Sequence, residues 1–125
     1  MNKKLAAPNI DFADSQFHSF QLDNETLIIY ISSWNERTLR LTFSNVIHLS
    51  YQPADFIKDL YEESEDSPIL KNALLNKYGK LIENHPFKSF QIEDIDDCLF
   101  IGVVAESVQV VKEENTLPFR DKHFF

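Results

Sequence analysis

Apolar and polar residues alternate along this chain with the period of strands in two stretches, separated by a stretch with the longer period of helices. In FHSFQL, Phe17 to Leu22, the side chains of Phe17, Ser19 and Gln21 point one way and those of His18, Phe20 and Leu22 the other, before Asp23, Asn24 and Glu25 supply a turn. TLIIYI (26–31) is apolar on both faces, as in a strand covered on both sides or one at a curve of a sheet. TLRLTF (38–43) alternates cleanly, with Leu39, Leu41 and Phe43 inward and Thr38, Arg40 and Thr42 outward. After a bend at Ser44 and Asn45, VIHLSY puts Ile47, Leu49 and Tyr51 on one face and Val46, His48 and Ser50 on the other.

The period then lengthens. In PADFIKDLYEE, Pro53 suits a first helical position, Asp55 favours a first turn, and Phe56, Ile57, Leu60 and Tyr61 share one helical face. A second helix is predicted in SPILKNALLNKYG, capped by Ser67, started by Pro68 and stopped by Gly79, with Ile69, Leu70, Leu74, Leu75 and Tyr78 as its apolar stripe. His85 and Pro86 lead into FKSFQI (87–92), an acidic turn EDIDD, the very apolar strand CLFIGVVA (98–105), and SVQVVKE beside it. Gly102 inside that apolar strand marks a bulge or a close backbone approach.

These elements predict an α+β fold. It is a curved antiparallel sheet of six or seven strands, with two consecutive helices inserted mid-chain and packed on one of its faces. Residues 1–125 form one domain, with 1–15 an extended N-terminal segment and 115–125 a tail containing three Phe. The predicted sheet core is Leu27, Ile29, Leu41, Phe43, Leu99, Ile101 and Val103. FHSFQL and FKSFQI nearly repeat one another; each runs into an acidic turn and then an apolar strand, so each reads as the first arm of a hairpin. Duplication is not needed to explain the echo, because the second copy is not followed by helices.

Composition narrows the function. Twenty acidic against twelve basic residues give a formal charge of −8, which repels phosphate backbones and anionic lipid and attracts basic proteins. Nucleic acid is therefore not an expected partner. The opening MNKKLAAPNI lacks the apolar stretch of a secretory signal, no window approaches the roughly twenty apolar residues of a membrane span, and the single Cys98 calls for no oxidising compartment, so the expectation is a cytoplasmic protein away from the membrane.

Candidate chemistry is sparse. The four His, at 18, 48, 85 and 123, lack the spacing of a local metal site, and EDIDD lacks the mid-loop Gly and distant Glu of a helix-loop-helix calcium site, so no metal and no cofactor is expected. His48 and Cys98 would make a nucleophilic pair only if the fold joined them with an acid. The residues that stand out are suited to contact instead. Trp34, the only Trp, sits in the polar loop SSWNER, and the acids cluster as Glu62, Glu63, Glu65 and Asp66 and as Glu93, Asp94, Asp96 and Asp97. Solvated loops and a Trp folded back onto the sheet are the plainer explanations of the same residues. The sequence thus predicts a non-enzymatic, acidic protein-binding domain, of the inhibitor or immunity kind that neutralises a basic toxin or enzyme, with those nine residues as its contact surface. The alternatives are a protein that holds an apolar ligand in a pocket among its many Phe, and an enzyme built on such a pocket.

Overall fold

The computed structural model describes residues 3–33, 38–52, 56–63, 65 and 67–113. Among them are nine strands and one helix: β1 (Lys3–Leu5), β2 (Gln16–Asp23), β3 (Thr26–Ser32), β4 (Thr38–Ser44), β5 (His48–Tyr51), β6 (Ile57–Glu63), α1 (Pro68–Tyr78), β7 (Lys88–Asp94), β8 (Leu99–Ala105) and β9 (Ser107–Glu113). They form two antiparallel sheets, one in the order β1-β6-β7-β8-β5 and the other β2-β3-β4-β9. Both copies of the repeated hexapeptide are first arms of hairpins, β2–β3 and β7–β8.

The predicted single sheet with two helices is therefore replaced by two sheets and one helix. The second predicted helix is present. Ser67 caps it by accepting the Leu70 N–H, Pro68 opens it, and Gly79 ends it in the left-handed region at φ 77° while donating its N–H to the Leu75 carbonyl. The first is not. Residues 57–63 form strand β6, paired on one side with β1 and on the other with β7. The reason lies in a bulge: the register against β7 slips between Ile57 and Asp59, so Ile57 and Leu60, three apart, are both fully buried. A bulged strand reproduces the i, i+3 spacing of an amphipathic helix. Pro53 and Asp55, which suggested a helix start, lie outside the described residues.

Two continuous stretches of chain pass from one sheet to the other. Ser44 pairs with Ser107 in the four-stranded sheet, while His48 pairs with Val104 in the five-stranded one, so β4–β5 and β8–β9 form one bent antiparallel ribbon. The bend is held by the Glu106 N–H to the Ser44 carbonyl (2.9 Å) and the Ile47 N–H to the Val104 carbonyl (2.8 Å), and Asn45 takes up the turn at φ 54°. Edge strand β2 runs across one end of the five-stranded sheet, with Ser15 bridging Ile57, the Phe17 ring 5.4 Å from Phe100, and Phe20 5.8 Å from Tyr51. That end, where β5 and β7 finish and β6 and β8 begin, is called the hairpin end below. The opposite end carries α1.

Leu27, Ile29, Leu41, Phe43, Ile101 and Val103 are all buried between the sheets, as the alternation predicts. Leu99 is half-buried and Phe100 takes its place in the core, because a second irregularity, where Ile92 faces Ile101 but Glu93 faces Leu99, leaves Phe100 as the extra residue of β8. On the outer face of the same sheet, Leu70, Ala73 and Leu74 of α1 pack on Phe87 and Val104. Leu75 and Tyr78, expected on that buried stripe, are exposed instead. Gly102 is a close approach: a Cβ there would lie 3.6 Å from Ile69 Cδ1 and 2.9 Å from Ser50 Oγ.

Candidate functional site

Seven of the nine residues expected to form one contact surface lie among the described residues, and their surroundings differ. Trp34 and Asp66 lie outside the described residues. Glu63 is buried and accepts hydrogen bonds at one oxygen from the hydroxyls of Ser67 (2.9 Å) and Ser89 (3.0 Å), which ties the cap of α1 to the sheet. Glu62 lies half-buried between the ammonium groups of Lys4 and Lys88, at 3.8 and 3.9 Å. Glu65 is exposed and holds His85 Nε2 at 3.1 Å; His85 Nδ1 accepts the Phe87 N–H, so the ring proton sits on Nε2 and is donated to Glu65.

The second acidic run is equally divided. Glu93 is buried and bound by Lys3. Asp94 turns its carboxylate onto the N–H groups of Asp96 and Cys98, both at 2.9 Å, and so builds the hairpin turn that Asp97 completes at φ 61°. Asp97 is exposed and pairs with Lys58, whose hydrogen bond and charge hold the Asp97 carboxyl below the ordinary carboxylate value and raise the ammonium in turn. Asp96 is exposed. Alternation cannot reveal this division, since which carboxylates fold inward depends on which strands sit beside them.

What the fold does bring together is an aromatic group that the sequence reading did not single out. Phe17, Phe20, Tyr51 and Phe100 form a continuous set at the hairpin end, with ring centroids 5.4 to 6.2 Å apart in the contacting pairs. Phe100 is buried and Phe17 half-buried, so they support two rings that stay outside: Phe20 is 40% and Tyr51 44% exposed. Exposed Phe56 and Ile95 belong to the same end, at the start of β6 and in the β7–β8 turn. Charge there is one-sided. In the stretches 11–16, 51–52, 56–59 and 93–99, seven positions are Asp or Glu against one Lys; two ammonium groups reach them, that of Lys58 engaged by Asp97 and that of Lys3, which comes from β1 to bind Glu93. Alternation could not have revealed this surface: it places Phe17 and Phe20 on opposite faces of β2, and the register slip between Phe17 and Ser19 is what brings the two rings together.

Asp59 adds to the charge. Burial, with a smaller contribution from Asp11, raises its carboxyl above the ordinary value, although its Oδ1 accepts the Leu60 N–H at 2.8 Å. No group of three His, Cys, Asp or Glu side chains among the described residues is arranged to hold a metal ion. His48, at the start of β5, and Cys98, in the hairpin turn, are at opposite ends of the sheet and form no nucleophilic pair. Of the eleven Phe, Phe12, Phe43, Phe90 and Phe100 are buried between the sheets, with Phe43 and Phe90 edge to face at 5.6 Å. No described helix is long and apolar enough to cross a membrane. Comparison with family models, curated proteins and solved structures finds no match to this chain.

Proposed function

We propose that this chain is a non-enzymatic protein-binding domain, of the inhibitor or immunity kind, whose hairpin end takes a basic protein segment carrying an apolar anchor. The observation that carries the reading is the pair Phe20 and Tyr51, two large rings left exposed at 5.8 Å and supported from beneath by Phe17 and Phe100. Aromatic side chains on a rigid base lose little conformational entropy on contact, which is why such residues dominate interface energetics. Surrounding carboxylates favour a basic contacting segment and disfavour an acidic one. Of the nine residues expected from sequence, this reading retains at the rim Asp96 and Asp97, the latter paired with Lys58.

The test starts from a partner recovered on the immobilised chain and confirmed with purified protein. Phe20→Ser with Tyr51→Ser should weaken binding at least about tenfold, chiefly through faster dissociation, while Asp96→Lys should slow association more at low salt than at high. A partner that meets the hairpin end with an acidic segment, or one that binds the Phe20→Ser/Tyr51→Ser variant as tightly as the parent, overturns the proposal.

A further inference from the structure

The helix carries a surface of the opposite kind. From Ser67 to Ile82 there is no carboxylate, although one residue in about six of the chain is acidic, and three Lys stand there, at 71, 77 and 80. Lys71, Leu75 and Tyr78 follow one another at i, i+4 and i+7 on the solvent side of α1, and Leu81 is exposed three residues past the helix; the three apolar residues are 43%, 39% and 55% exposed in chain order. Lys77 keeps its ammonium 5.6 Å from the Tyr78 ring centre and 5.9 Å from that of Phe87, so positive charge lies against the exposed apolar groups. This surface belongs to the helix end of the five-stranded sheet, whereas Phe20, Tyr51 and the one-sided carboxylates are at the hairpin end.

We infer that α1 of one copy docks, through Lys71, Leu75, Tyr78 and Leu81, on the acidic aromatic hairpin end of a second copy. The inference rests on the reading of the hairpin end as an interface and names one occupant for it. The chemistry matches on both counts, apolar against aromatic and lysine against carboxylate, and the two surfaces sit at opposite ends of the same sheet, so one copy does not satisfy itself. A contact of this type is heterologous: each association leaves one helix and one hairpin end unused, and growth continues head to tail. The like net charge of the copies opposes approach at long range, so the contact is weak and grows with protein concentration.

Sedimentation velocity on the whole chain, at rising concentration and physiological salt, tests it. The parent should sediment progressively faster with concentration. Lys71→Glu with Leu75→Asp, and separately Phe20→Ser with Tyr51→Ser, should each stay monomeric. An equimolar mixture of the two variants should form a one-to-one dimer and stop there, because one intact helix and one intact hairpin end remain. All four positions are exposed, and circular dichroism checks that both variants fold. A parent monomeric at every concentration, or variants that associate as the parent does, overturns the inference. The helix variant should retain the basic partner, so loss of self-association with partner binding intact separates this contact from the proposed function. A hairpin-end variant that keeps both activities overturns both.

Discussion

Lys3 reaches across β6 to close a two-pronged ion pair with Glu93, ninety residues away, its ammonium 2.8 and 2.6 Å from the two carboxylate oxygens and 4.4 Å from the centre of the Tyr61 ring. Glu93 is almost wholly buried, while Lys3 remains partly in solvent. The two residues do not contribute symmetrically. Removing Lys3 leaves a buried carboxylate without its hydrogen-bonded countercharge, and removing the charge of Glu93 leaves a lysine that water still reaches.

The first prediction follows from that asymmetry. Lys3→Ala should lower unfolding stability by about 1 to 2 kcal/mol, at the low end for a buried pair because Lys3 is partly solvated. Glu93→Gln should cost less, and the double variant should be more stable than Lys3→Ala alone. Urea unfolding of the four proteins measures the coupling; additive losses would mean that the ion pair contributes nothing to holding β1.

The repeated hexapeptide supplies the second. Phe20 and Phe90 hold equivalent places in FHSFQL and FKSFQI, but β2 is an edge strand and β7 lies between β6 and β8. Phe90 is consequently 2% exposed and Phe20 40%. Phe90→Ala should destabilise by about 3 to 5 kcal/mol and Phe20→Ala by well under half of that, as read from denaturation midpoints at equal slope. Similar losses at both positions would place β2 inside a sheet.

The same pair shows how far the sequence is legible. Seven strands, the caps of α1 and six of the seven predicted core residues follow from local alternation and turn chemistry, which are properties of neighbouring residues. Whether a strand lies at an edge or in the centre is set by partners far along the chain, and nothing in either hexapeptide encodes it. Bulges do more harm. At Ile57–Asp59 the slip makes a strand imitate a helix, and at Phe100 it exchanges a predicted core residue, Leu99, for its neighbour. The candidate surface suffered most, because Phe17, Phe20, Tyr51 and Phe100 come from three strands in two sheets.

Ser67 offers a third test. Its hydroxyl accepts the Leu70 N–H and donates to buried Glu63, so one oxygen serves both the start of α1 and a carboxylate inside the fold. Ser67→Ala removes the cap and one of the two hydroxyl donors to Glu63. The expected loss is about 1 to 3 kcal/mol, with earlier amide exchange in α1 than in the sheets. Unchanged exchange in α1 would show that packing on Phe87 and Val104 holds the helix without its cap.

The last prediction concerns pH. The Asp59 carboxyl is raised in the folded chain, first by burial and second by the charge of Asp11, so the folded state holds its proton to higher pH than the unfolded state does. For a carboxyl shifted in this direction, stability falls as pH rises through the interval between the unfolded and folded values and stays lowered above it. Asp59→Asn keeps an oxygen that can accept the Leu60 N–H and removes the charge. The variant should therefore melt at a higher temperature than the parent at neutral pH, and the gain should shrink as pH falls and vanish once Asp59 is protonated in both states. Melting curves of the two proteins from neutral to acid pH decide the matter. A gain that persists unchanged into acid would trace to packing, and a loss at neutral pH would show that the carboxylate is held by a favourable contact stronger than its burial.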